Sequence, residues 1–242
     1  RMLIARGADV NAKEPLQDQT ALMWALSQRQ SAVVEALIEG GADVHAGSKT
    51  GFTPLMFAAQ QGDAATARIL LRAGAKPNDA QPKTALTPLM IASAMAHAEV
   101  VDLLLDNGAK PDLVDASGYS SLHRVGRDSD YGINPATEDA VLTIVKSLLK
   151  HGANPNIRLS QDKEKAAEEI KNGNVQQAER RTAVTVNEII LQGATPLFLA
   201  AEVNNLDVIK ALVEAGAPDK DAGELSWAVL GRLIEETRAI VA

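Results

Sequence analysis

Two short markers recur along this chain at one spacing, and that regularity limits its fold more than anything else in the sequence. The first is the block Thr53-Pro54-Leu55-Met56-Phe57-Ala58, with counterparts at Thr20-Ala21-Leu22-Met23-Trp24-Ala25, Thr87-Pro88-Leu89-Met90-Ile91-Ala92, Ser120-Ser121-Leu122-His123-Arg124-Val125 and Thr195-Pro196-Leu197-Phe198-Leu199-Ala200. In chain order the first four copies start 33, 34 and 33 residues apart. The second marker, Gly-Ala, begins at residues 7, 41, 74, 108, 152 and 216, with early steps of 34, 33 and 34. Two independent markers in one phase define a repeating unit, and a unit of this size cannot bury its apolar face alone. The units must therefore stack.

Each part of the unit has a physical reason. Thr53 is an N-cap whose hydroxyl accepts from the first helical turn, and Pro54 follows where a missing N–H costs nothing. Leu55, Ala58 and Ala59 then fall at i, i+3 and i+4, a narrow stripe whose small residues let a neighbouring helix approach closely. Gly62 ends this helix. A second helix follows, with Ala67, Leu70 and Leu71 spaced for burial and Gly74 as a left-handed stop. The polar stretch Lys76-Pro77-Asn78-Asp79 turns the chain toward the next unit. The same grammar recurs around Val100, Val101, Leu103 and Leu104, and around Val208, Ile209 and Leu212.

A period of about 33 residues carrying a Thr-Pro-Leu-His-x-Ala block is the signature of ankyrin repeats, and this chain resembles that family over nearly its whole length. The block at residues 20–25 is similar to those of bacterial ankyrin proteins. The resemblance implies an all-α ankyrin-repeat solenoid of stacked helix-turn-helix units joined by short β-hairpin loops, forming a single domain over residues 1–242. Residues 1–13 read as the second half of a repeat, so the chain reads as a piece of a longer protein. Complete repeats are expected at 14–47, 48–81, 82–114, 115–158 and 190–221, followed by a helical capping region at 222–242. Two insertions break the period. One lengthens the loop between the helices of repeat 115–158, near residues 127–135. The other, residues 159–189, is rich in both acids and bases and suits a solvated helix broken at Asn172-Gly173-Asn174. It is as well suited to a solubilising loop as to a binding one.

Composition removes several functions. With 24 Lys plus Arg against 31 Asp plus Glu the net charge is −7, which disfavours a general phosphate-binding surface. No nucleic-acid partner is expected. The absence of Cys excludes thiolate nucleophiles and Cys-ligated metals. No run reaches the roughly 18 apolar residues of a membrane span, so no membrane partner is expected. With 41 alanines and only 2 Trp, 2 Tyr and 3 Phe, the core is built from small and aliphatic side chains.

Nothing in the sequence suggests catalysis. His45, His97, His123 and His151 lie in different repeats or at different positions of the unit, with no His-x-x-x-His or paired-carboxylate spacing beside them. No phosphate loop, nucleophile elbow or dinucleotide fingerprint is present. No cofactor, metal or catalytic residue is therefore assigned. His123 occupies the His position of the block, where the resemblance implies hydrogen bonds across neighbouring turns, and His45 is expected to be exposed in a hairpin. Trp24 is expected in the core between helices.

The resemblance implies non-catalytic binding of a protein partner by a monomer, through the concave face formed by hairpin tips and the exposed side of each first helix. Carried over by position, the candidate contacts are Lys49, Phe52, Gln60 and Gln61; Leu86 and Met95; Tyr119; and Glu202. Phe52 and Leu86 equally suit simple packing between adjacent hairpins. The alternative is a regulatory or positioning domain of a larger enzyme whose catalytic part lies outside this chain.

Overall fold

The computed structural model describes residues 2–125, 135–158, 195–202 and 205–217. The 159–189 insertion, most of the 127–135 loop and the 222–242 cap lie outside these residues. Two compact units are formed, one from residues 1–116 and 120–153, the other from residues 117–119 and 154–242.

The first unit is a series of antiparallel helix pairs. A single turn, α1 (Met2–Ala5), is followed by α2 (Ala21–Ser27) and α3 (Ser31–Glu39), α4 (Pro54–Gln61) and α5 (Ala64–Arg72), α6 (Pro88–Ala94) and α7 (Ala98–Asp106), and α8 (Ser121–Arg124) and α9 (Pro135–Lys150). First helices stack on first helices, α2 on α4 and α4 on α6, while α3, α5 and α7 form a parallel outer row. Each first helix starts where its cap predicts. The hydroxyls of Thr20, Thr53 and Thr87 accept from the N–H groups of Met23, Met56 and Met90 at 3.4, 3.4 and 3.3 Å. A cap of this kind contributes about 1 kcal/mol.

In the fourth copy of the block the cap is reciprocal. The backbone N–H of Ser120 donates to His123 Nδ1 at 3.2 Å, and the Ser120 hydroxyl lies 2.8 Å from the same nitrogen. His123 is buried, and through Nδ1 it serves its own helix start. The equivalent Met56 offers only a sulfur to the Thr53 N–H, at 3.4 Å.

Burial follows the helical stripe. Leu55, Ala58 and Ala59 are all buried, as are Leu22, Ala25 and Leu26 in the preceding copy, and Ala67 and Leu70 on the outer row; Leu71 is half-buried. Each large aliphatic side chain buried in this way stabilises the fold by about 1.5–3 kcal/mol. The turn between the two helices of a pair needs a left-handed residue. Gly62 fills it at φ 67°, but Arg29 and Ala96 hold the same position at 54° and 56°. Gly62 is further constrained by its neighbour: a Cβ there would stand 2.6 Å from Nδ1 of His97, whose Nε2–H donates to the Gln60 carbonyl at 3.1 Å. Gly74 ends α5 with a φ of 97°.

Asparagines tie successive turns together. Asn11 donates to the Gly41 carbonyl (3.1 Å) and accepts from the Asp43 N–H (2.7 Å). Asn78 repeats this on Gly108 and Lys110, at 2.9 and 2.8 Å. At the intervening position His45 is exposed and lies 3.9 Å from Asp79.

The fourth pair differs in its outer helix. Helix α9 has 16 residues where α3, α5 and α7 have nine each, so part of the extra length here is helix, not loop. It is fastened to α7 by a Ser147 hydroxyl bond to Asp102 and by His151 Nε2, 3.4 Å from Asp106. In the second unit, α10 (Pro196–Glu202) is capped by the Thr195 hydroxyl, which accepts from Phe198 at 3.3 Å, and packs on α11 (Leu206–Glu214). Asn156 of this unit donates to the Gly216 carbonyl at 3.4 Å, across 60 residues. The same asparagine bond elsewhere spans 30 residues.

Candidate partner-binding face

Three loops before α2, α4 and α6 project as fingers closed by local hydrogen bonds. In the first, the Glu14 N–H donates to the Gln19 carbonyl at 3.0 Å; in the second Ser48 donates to Phe52, and in the third Gln81 to Leu86, both also at 3.0 Å. An isolated bridge from Lys13 to Thr20 is the strand pairing found among the described residues, so the hairpins are turn-like rather than extended ribbons. The fingers are linked sideways: Lys49 N–H to the Gln17 carbonyl, and Ala116 N–H to the Thr84 carbonyl, both 2.8 Å.

Finger one is braced by a charge. The Glu14 carboxylate accepts from the N–H groups of Leu16, Gln17 and Gln19 at 2.8, 2.7 and 3.2 Å. Partial desolvation works against ionisation, but the three backbone donors, led by Gln19 and helped by the positive charge of Lys49, outweigh it and lower the Glu14 pKa.

Where fingers two and three meet the first helices, an open groove of about 140 Å³ forms. Phe52, Gln60, Leu86, Met90, Ile91, Ala94, Met95 and Arg124 line it. Four predicted contacts, Phe52, Gln60, Leu86 and Met95, are thus brought together. Phe52 also packs edge-on against Phe57, with ring centroids 4.9 Å apart and planes at 79°. Met95 is 40% exposed. Arg124 is held by Asp115, which is only 5% exposed and accepts from Arg124 Nε at 2.8 Å.

The remaining candidates are placed as follows. Lys49 is exposed on finger two. Gln61 ends α4 and is engaged by Arg29, which donates from Nε to the Gln61 side chain at 3.3 Å and from Nη2 to its carbonyl. Tyr119 is half-buried and belongs with the second unit, as does Glu202, the last residue of α10.

Trp24 departs from expectation: it is 53% exposed, not core. The reason is helical phase. Leu22, Ala25 and Leu26 form the buried stripe at i, i+3 and i+4, which leaves position i+2 on the opposite side of the helix. Phe57, Ile91 and Arg124 occupy that same position in later copies, where Phe57 is half-buried and Ile91 is 9% exposed, and Ile91 and Arg124 line the groove. Reading the period at position i+2 would have found this column. A related pattern concerns charge: α2, α4 and α6 contain no Asp, Glu, Lys or Arg, while α3, α5 and α7 each carry at least two.

Among the described residues no group of three or more His, Cys, Asp or Glu is placed to hold a metal ion, and no helix is long and apolar enough to cross a membrane.

Fold and face together define a stacked helical-repeat protein whose inner helices α2, α4 and α6 are uncharged. A family model described as ankyrin repeats in three copies matches residues 1–81, and the single ankyrin repeat model matches residues 86–116 and 192–222. The chain belongs to the ankyrin repeat family, whose repeats are protein–protein interaction modules. It is similar to the nuclear factor NF-kappa-B p105 subunit of Gallus gallus, 42% identical over 79 residues, and to that of Mus musculus, 39% over 77. These matches take in 32% and 31% of this chain and 8% of either relative, so the chain spans under a tenth of those proteins. Among solved structures it is similar to an ankyrin repeat domain from Acinetobacter baumannii, with a TM-score of 0.66, 25% identity and coverage of 90% of this chain and 91% of that one.

Proposed function

We propose that the chain is a non-catalytic module that binds a protein partner, as a monomer, through its fingers and first helices. One observation carries the reading: the first helices α2, α4 and α6 hold no charged side chain, yet Trp24 on α2 and Met95 at the end of α6 remain exposed at 53% and 40%. Large apolar side chains left open on a surface mark an interaction site, and Trp is among the residues that most often anchor one. Phe52, Gln60 and Leu86 line the groove together with Met95, while Lys49 is exposed on finger two and Gln61 ends α4. Tyr119 and Glu202 hold the equivalent finger and helix positions in the second unit. The negative charge of the chain favours a protein over a nucleic acid.

The test is affinity capture from a cell extract with the whole chain, compared with Trp24→Ala, Met95→Ala and, on the exposed outer row, Arg68→Ala. Proteins lost with the first two and retained with the third, at unchanged melting temperature, are the expected result. Equal recovery with all four chains would reject this face.

A further inference from the structure

We propose that the groove between fingers two and three takes one large apolar side chain of a linear partner segment, with carboxylates on either side of that side chain. This rests on the binding face above and adds the chemistry of what it binds.

Size sets the anchor. The groove, about 140 Å³, is close to the roughly 150 Å³ of an apolar protein cavity that holds one benzene molecule. One aromatic ring or branched aliphatic side chain fills it. Phe52, Leu86, Ile91 and Met95 offer that side chain mainly carbon and sulfur, so a polar anchor would lose its hydration without replacement bonds.

Charge sets the flanks. The floor, α4 and α6, is uncharged. Finger two, residues 47–52, carries a single charged residue, Lys49, and finger three, residues 81–86, likewise carries only Lys83. Both lysines are exposed at the same finger position, 34 residues apart. Arg124, in the lining itself, is paired with the buried Asp115, so the attraction on the flanks comes from the two lysines. Finger one carries two acids, Asp18 and Glu14, of which Glu14 is engaged by three backbone N–H groups. A chain of net charge −7 thus presents cations and no carboxylate on fingers two and three. Acidic flanks are attracted there before contact and basic ones are repelled, which governs association rate and partner choice.

The experiment pans a phage-displayed library of random linear peptides against the whole chain at low salt, then measures the best synthetic peptide by fluorescence anisotropy. Enriched sequences are expected to hold one Leu, Ile, Met, Phe or Trp within a few residues of two or more Asp or Glu. Affinity should fall about tenfold on reversing both charges (Lys49→Glu with Lys83→Glu) and also in about 0.5 M salt, because exposed pairs are worth under 1 kcal/mol each and are screened. Met95→Glu should weaken binding as well, and Arg68→Ala should not. Basic flanks, indifference to the charge reversal, or no enriched peptide would overturn the inference. So would a concentration-dependent dimer abolished by Met95→Glu, which would make a second copy the occupant. A peptide of the wrong charge that still depends on Trp24 and Met95 defeats only this inference; one that ignores both defeats the face itself.

Discussion

The inner helices α2, α4 and α6 and the outer helices α3, α5 and α7 come from one repeated sequence, yet they tolerate different chemistry. An inner helix has neighbours on three sides, its own outer partner and an inner helix before and after it, and all seven residues of α6 are buried. An outer helix keeps one side in water. Glu35 and Glu39 on α3, Arg68 and Arg72 on α5, and Glu99, Asp102 and Asp106 on α7 can be charged because their heads stay hydrated. Alanine density and lack of charge on the inner row are thus one requirement, close approach without desolvated ions. The side of α2 and α4 that escapes this packing is where Trp24 and Gln60 are exposed.

The sharpest way to break this comparison is one substitution made twice. Ala92→Asp on α6, at a fully buried position, should cost about 3–5 kcal/mol, since an unpaired carboxylate is buried. Ala65→Asp on α5, exposed in the first turn, should change stability by no more than about 0.5 kcal/mol, with a slight gain from the helix dipole. Circular-dichroism melts of both variants check this, and equal losses would dissolve the distinction between the rows.

A smaller effect is expected at the turn that joins an inner to an outer helix. Ala96→Gly should stabilise by about 1 kcal/mol, because it relieves a left-handed alanine. Gly62→Ala should destabilise by more than that, since the new Cβ meets the His97 ring as well as the backbone strain. Urea unfolding of the two single variants should therefore shift in opposite directions.

The smallest effect concerns the finger that borders the inner row. The Glu14 pKa is lower in the folded chain than its ordinary value of 4.5, so its stabilisation is fully present above pH 4.5 and is lost as pH falls through the depressed value. Glu14→Gln should lower the melting temperature slightly at neutral pH. The difference from the parent chain should shrink in acid, and a gap that stays constant down to pH 3 would assign the bracing to something other than the charge.

Much of the fold was legible because its signals are local. A Thr or Ser opening each block, a small-residue stripe behind it and a Gly after each outer helix act within one unit, and repetition made them visible several times over. The face was only partly legible. Phe52, Gln60, Leu86 and Met95 were found from the family position, but Trp24 was assigned to the core because it is large and apolar, while its phase on the helix put it outside. Arg124 was missed because its place in the groove depends on Asp115, nine residues earlier, reaching back across the finger.

By itself the sequence determined the period, the helix starts, the buried stripes and the need to stack, since these follow from spacing and from groups within a turn or two of each other. Tertiary structure alone decided that residues 34 apart, such as Phe52 and Leu86, share one groove, that α9 extends over 16 residues, and that the asparagine bond to Gly216 reaches across 60 residues. Those outcomes depend on which units come into contact and how closely, and distance along the chain does not fix distance in space.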